Sequence, residues 1–145
     1  MNEQIIKKAA EIVAANTVKN RTYNNEISNL SLIGEDGYPT TSVITPAKSD
    51  GIKTVYLCTG LESNHAQRIA KCSRASVSFT STEYCVNLVG DIEVITAPAV
   101  KSEMWYDGLA YHFPGGETDL NYCVLKFMTK RYKLFIDGED AAGRF

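Results

Sequence analysis

Ile5, Ile6, Ala9, Ile12 and Val13 recur at helical spacing at the start of the chain, with Lys7, Lys8 and Glu11 on the other side. Apolar residues three and four apart form one stripe of a helix, so residues 1–16 are predicted as an N-terminal helix ended by the polar run from Asn16. The period then changes. Residues 27–33, 40–45 and 53–59 read as strands, divided by Glu35-Asp36-Gly37 and Ser49-Asp50-Gly51. Glycine after aspartate accepts the positive φ of a tight turn. Pro46 is expected to stop the second strand. A short helix is predicted over 64–71, where Asn64 and Gln67 have capping-box spacing and Ser63 competes as the cap. Ala75, Val77 and Phe79 alternate with serines, and Tyr84, Val86, Leu88, Ile92 and Val94 continue the alternation. Gly90 lies on the inward phase of that strand and marks a bulge or a close backbone approach. Pro98 suits the first turn of a third helix, with Gly108 as its expected end. Residues 122–136 form the last strand, and their apolar phase slips at Thr129-Lys130-Arg131, as at a bulge or turn. The polar residues 138–145 are expected as a mobile tail.

This pattern predicts a mainly β fold with helices: an antiparallel barrel of about six strands, an N-terminal helix and two short helices, because closure removes exposed edges. A β-sandwich is the alternative that periodicity leaves open. With 145 residues, 44% hydrophobic and 22% charged, the chain fits one domain with a sizeable core. The net charge of −2 and the lack of a basic stripe argue against a nucleic-acid partner. No stretch is apolar for long enough to span a bilayer, and the first residues are too polar for a signal peptide, so the expected location is cytoplasmic. Cys58, Cys72, Cys85 and Cys123 form no Cys-x-x-Cys pair and are expected as reduced thiols, without a metal.

Several ordered segments carry a family resemblance. Asp36-Gly37-Tyr38-Pro39-Thr40-Thr41-Ser42-Val43-Ile44 resembles a first barrel hairpin, and Val55-Tyr56-Leu57-Cys58-Thr59-Gly60-Leu61-Glu62-Ser63-Asn64-His65 a phosphate-binding strand, loop and helix start. Val77-Ser78-Phe79 and Val89-Gly90-Asp91-Ile92-Glu93-Val94 resemble the strands that follow. Trp105, Phe113-Pro114-Gly115-Gly116 and Val124-Leu125-Lys126-Phe127 resemble the closing part. Together they resemble the pyridoxamine 5′-phosphate oxidase-like family of FMN-binding split barrels, in its short, general-stress-protein-like form. The resemblance implies a homodimer with shared sites, each holding FMN, and a small-molecule substrate or a reductant such as NAD(P)H. It implies a phosphate held by Thr59, Ser63, Asn64 and His65. The flavin ring is expected along Ser42, Val43, Ile44, Thr45 and Cys58, with Trp105 at its edge.

A phosphate at that point also makes physical sense, since a helix N-terminus offers free N–H groups and a positive dipole end. Two basic residues that family members often carry are missing. Thr41 or Ser42 stands where an arginine is usual, and His65 where a lysine is usual. Arg68, one turn along, is the candidate substitute. His112 reads as an exposed loop residue. The expected function is flavin-dependent oxidoreduction of a small molecule, in which the cofactor performs the chemistry and no catalytic side chain is assigned. The alternative is a non-catalytic protein that binds or senses flavin, haem or a deazaflavin. Efficient oxidation of pyridoxamine phosphate is not expected, because the C-terminus lacks the basic segment that would hold a second phosphate.

Overall fold

The computed structural model describes residues 2–19 and 27–145. The chain order is α1 (Asn2–Ala15), β1 (Ser28–Ile33), β2 (Pro39–Ile44), β3 (Pro46–Asp50), β4 (Thr54–Gly60), α2 (Asn64–Lys71), β5 (Arg74–Thr80), β6 (Tyr84–Ile95), α3 (Pro98–Met104), β7 (Tyr122–Ile136) and β8 (Glu139–Arg144). Two 3₁₀ turns, Asp107–Tyr111 and Gly116–Thr118, lie between α3 and β7. Residue 1 of the predicted first helix lies outside the described residues.

The strands form one sheet in the order β2-β1-β5-β6-β7-β4-β3, with β8 also on β7. The strands at the two ends of this order, β2 and β3, are joined in the chain by Thr45 alone. In a flat sheet six inter-strand steps of about 4.8 Å would hold those ends about 29 Å apart. One residue spans about 3.5 Å. The sheet therefore curls into a barrel, which decides against the sandwich. The barrel is split along β7: its first half pairs with β4, from Thr54↔Met128 to Gly60↔Tyr122, and its second half with β8, from Arg131↔Arg144 to Ile136↔Glu139.

The alternation read from the sequence becomes the barrel interior. Leu30, Leu57, Val77, Phe79, Leu88, Leu125 and Phe127 are all buried there, with Ile69 of α2 and Ile5, Ala9 and Val13 of α1 completing the cluster. A second cluster lies on the outer face of β4 and β7. There Cys58, Tyr122 and Val124 are covered by Met104 of α3 and by Leu109 and Phe113 from the loop that follows.

Three expectations are corrected, and a fourth, left open between a bulge and a turn, is resolved. Pro46 does not end strand structure but begins β3, which together with β8 raises the number of strands to eight. Proline lacks an N–H, yet the first residue of an end strand needs no ladder donor. The third helix ends at Met104 rather than at Gly108, which sits inside the first 3₁₀ turn. The slip at Thr129-Lys130-Arg131 is a bulge: Val89 pairs with Arg131 and Gly90 with Thr129, so Lys130 is the extra residue. Residues 139–144, expected as a loose tail, form β8, with Ala141 buried and the Phe145 ring 5.5 Å from that of Tyr132. Deleting residues 138–145 is accordingly expected to lower stability by about 2 kcal/mol, the loss of a few buried apolar groups. Urea unfolding of the truncated chain checks this; a midpoint equal to that of the full chain would return these residues to a loose tail.

All four cysteines are free thiols. Among the described residues no helix is long and apolar enough to cross a membrane.

Candidate functional site

β4 leads out of the barrel through Gly60-Leu61-Glu62 into α2. Ser63, with φ −69° and ψ 156°, has the extended backbone of an N-cap, and its Oγ accepts the Ala66 N–H. Asn64 is already helical and cannot cap. Its side chain points along the helix to Arg68 at 3.5 Å, away from the site. Thr59 Oγ1 donates to Ser63 Oγ over 3.0 Å. Ser63 Oγ thus accepts twice. A hydroxyl has two acceptor sites and one proton, so what Ser63 has left to offer a ligand is its O–H. The backbone N–H groups of Asn64 and His65 have no acceptor among the described residues, as expected for the first turn of a helix.

A cleft of ≈ 670 Å³ opens at this helix start, lined by Val43, Ile44 and Thr45 on one side and Cys58, Thr59, Gly60, Glu62, Ser63 and His65 on the other. Tyr106, Leu109, His112, Phe113 and Asn121 close it from the loop after α3. Seven of the ten expected site residues therefore meet at one cleft. The other three do not line it. Ser42 stands behind the wall, where its hydroxyl bonds His65 Nε2 at 2.9 Å and orients the ring. Asn64 faces the groove beside Arg68. Trp105 packs edge-on against Tyr122, with ring centroids 5.3 Å apart, and in this chain Tyr106 lines the cleft instead. Both residues after α3 are extended, with φ/ψ of −62°/139° and −144°/157°. Successive side chains on extended backbone point to opposite sides, so one enters the core and the next the cleft.

Arg68 does not replace the missing basic residues either. Its guanidinium donates to the Leu32 carbonyl at 2.5 Å and to Thr40 Oγ1, which commits it to the β1–β2 hairpin. His112 is exposed, as expected of a loop residue, yet it lines the cleft.

Asn121 went unnoticed in the sequence. Its carbonyl accepts the Leu61 N–H at 2.6 Å and its Oδ1 the Glu62 N–H at 3.0 Å, so it holds the loop leading to Ser63. Gly60 makes room for it, since a Cβ there would lie 2.8 Å from Asn121 Nδ2. Asp119 in turn fixes Asn121. Its carboxylate accepts the N–H groups of Asn121 and Gly115, which hold its pKa below the ordinary value, the Asn121 bond contributing most. Lys101, 8% exposed, donates to the Asp119 carbonyl at 2.9 Å and lies over the Tyr122 ring. The Asp-x-Asn spacing of this turn was the available signal.

Among the described residues, no lysine or arginine lines the cleft. Burial, and then the Arg68 charge, lower the pKa of His65 below that of a free histidine. Burial raises the Cys58 thiol to about 12, so it is neither a thiolate nucleophile nor a charged ligand near neutral pH. The arrangement suits a ligand with an anionic end at the α2 start and a flat apolar body against Val43, Ile44 and Cys58.

A sequence model of the family described as pyridoxamine 5′-phosphate oxidase like matches residues 13–135. The chain belongs to this family. A search of curated proteins gives no match. Among solved structures, a protein related to general stress protein 26 from Clostridium acetobutylicum superposes with a TM-score of 0.82 at 23% identity, covering 100% of this chain and 97% of that one. General stress protein 26 from Bacillus anthracis gives 0.79 at 17% identity, over 98% and 99% of the two chains. A heme binding protein from Mycobacterium smegmatis gives 0.70 at 17% identity, over 97% of this chain but 57% of that one. At such identities the shared property is the fold. Membership of the family accounts for the split barrel. Ser42 and His65, two of the expected site residues, bond each other beside the cleft.

Proposed function

We propose that the protein is a flavoprotein that binds FMN in this cleft and passes electrons between it and a small molecule. The observation that carries the proposal is the doubly accepting Ser63 at the α2 start. It turns a helix cap into a donor set of one O–H and two backbone N–H groups, which fits a phosphate monoester. The ring would lie against Val43, Ile44, Thr45 and Cys58. When bound, FMN supplies the electron or hydride chemistry; the protein binds, orients and shields it. The visible spectrum of freshly purified protein, with extraction of any chromophore, tests this. Reduction by NADPH followed by steady-state turnover with an acceptor separates an oxidoreductase from a binding protein.

A second reading is a protein that holds flavin, haem or a deazaflavin without turnover. His65 and His112 both line the cleft, and imidazole is a common haem ligand. The likeness in fold to a heme binding protein agrees with it. A Soret band in place of flavin bands would select this reading.

His65 gives a signed expectation. In the ligand-free protein its depressed pKa favours the neutral ring, so its share of folding stability is complete above the ordinary histidine pKa of about 6.5. That share is lost as pH falls through the folded value. A bound phosphate reverses the preference, because a dianion next to the ring favours imidazolium. FMN is therefore expected to raise the His65 pKa and to bind more tightly as pH falls through it. NMR titration of the ring with and without FMN reads the shift. His65→Lys is expected to flatten the pH dependence of affinity. Flavin phosphate titrates in the same range, so the difference between the two proteins is decisive.

The same reading includes a homodimer that covers the open side of the ring. Val43, at the cleft wall, is 67% exposed, and Tyr111 and Leu120, next in sequence to cleft residues, are 92% and 90% exposed. Two-fold dimers are the commonest closed assembly. Light scattering is expected to give twice the chain mass; a monomer that still binds FMN tightly would count against a shared site.

A further inference from the structure

The cleft does not end at Tyr106 and His112. A second cavity of ≈ 540 Å³ adjoins it and shares Thr45, Tyr106, Leu109 and His112 as its wall. Its own lining adds Val18, Asp107 and Gly108. The two cavities share these wall residues, so a ligand in the second would lie next to whatever occupies the first.

Among the described residues, the formally charged side chains lining this space are carboxylates, Glu62 in the first cavity and Asp107 in the second. Asp107 makes no hydrogen bond or ion pair among the described residues. Nearby cations are turned to other tasks: Lys48 pairs with Glu103 at 2.9 Å, Lys101 bonds the Asp119 carbonyl, and Arg68 bonds the β1–β2 hairpin. Lys19 lines neither cavity, and its charge is felt at Cys58 in the first. A phosphate at the α2 start would add about −1.5 to −2 charge to the same space. The half-buried Tyr106 and the Leu109 side chain add apolar surface beside the carboxylate.

We infer that this second cavity is the site of the second ligand and that it selects a small organic cation, such as a protonated amine on a compact apolar body, with Asp107 as the selecting group. The inference deepens the proposed function, since the ligand it names would meet the cofactor at the Tyr106–His112 wall. It assigns to Asp107 a binding role, and it disfavours phosphorylated and carboxylate substrates at this position.

Three probes of similar size test it: benzylamine, benzyl alcohol and benzoate. Binding is read by amide shifts of Gly108, Leu109 and His112, with and without FMN. Benzylamine is expected to bind more tightly than the other two and to weaken as ionic strength rises, while benzyl alcohol is unaffected by salt. Asp107→Asn should weaken benzylamine by up to about fivefold, the range of an exposed charge pair, and leave benzyl alcohol unchanged. Asp107→Lys should reverse the order and favour benzoate. Asp107 is exposed and without a partner among the described residues, so both variants should keep the melting temperature of the parent. Equal binding of benzylamine to the parent and Asp107→Asn, or benzoate binding to the parent as tightly as benzylamine, would overturn the inference. FMN uptake is scored separately from the visible spectrum. Protein that takes up no FMN but prefers benzylamine would sink the flavin reading alone, and protein that takes up FMN without that preference would sink this one alone.

Discussion

Gly90→Ala is expected to destabilise the protein by about 3 kcal/mol or more, at or above the upper end of ordinary overpacking costs. A Cβ at this position would lie 1.9 Å from the Met128 carbonyl oxygen, 2.9 Å from its carbon and 3.0 Å from the Lys130 nitrogen. All three are backbone atoms of the β7 bulge, so no side-chain rotation relieves the overlap. Either β6 or β7 must move, and these two strands pair along almost the whole length of β6. The cause is lack of room, because Gly90 has no positive φ. Gly37 provides the contrast within the same chain. It has φ 83° and nothing within 4 Å of a built Cβ, so Gly37→Ala is expected to cost about 1–2 kcal/mol through backbone strain alone. Urea unfolding of both variants should show lowered midpoints with an unchanged slope, the Gly90 variant much the lower. A Gly90→Ala protein as stable as Gly37→Ala would mean that the bulge opens at little cost.

Replacing Thr59 and Ser63 together by alanine is expected to weaken FMN binding by about 10- to 100-fold, the loss of the Ser63 hydrogen bond to a charged phosphate at about 1.5–3 kcal/mol. Riboflavin, which lacks the phosphate, should lose little. The helix cap goes with Ser63, at a stability cost of about 1 kcal/mol, so affinity and fold need separating. Ser63→Asp separates them. Aspartate caps a helix as well as serine does, but its charge would face the phosphate. Stability should stay near that of the parent while FMN binding falls at least as far as in the double alanine variant. Equal affinity for FMN in parent and Ser63→Asp would move the phosphate away from the α2 start.

Much of the barrel was readable because strand alternation is a local property. Each buried position on β5 and β6 is two residues from the next, and Val77, Phe79, Val86 and Leu88 are all at most 1% exposed. The helix that carries the site was readable for the same reason. Ser63 and Asn64 both announce a helix start, and the apolar residue on the inner side of α2, Ile69, follows at helical spacing. Which of the two caps was not readable, because that depends on the backbone angle of one residue at the exit from β4.

The sequence by itself determined the strand phases, the helix at 64–71, the inward glycine at 90 and the thiols left unpaired. Through its family resemblance it also pointed to the mouth between Val43 and Ser63. Only the tertiary structure decided that β2 and β3 are opposite ends of one sheet, that residues 139–144 add a strand, that Tyr106 rather than Trp105 enters the cleft, and that Asn121 holds the loop at Gly60. The division has a physical reason. Periodicity along a chain reports which side of an element is buried. Which elements become neighbours is set by closing the sheet and packing its two faces, and that depends on all strands at once. Gly60 and Asn121 meet because β4 and β7 pair, and nothing within a few residues of either shows that they do.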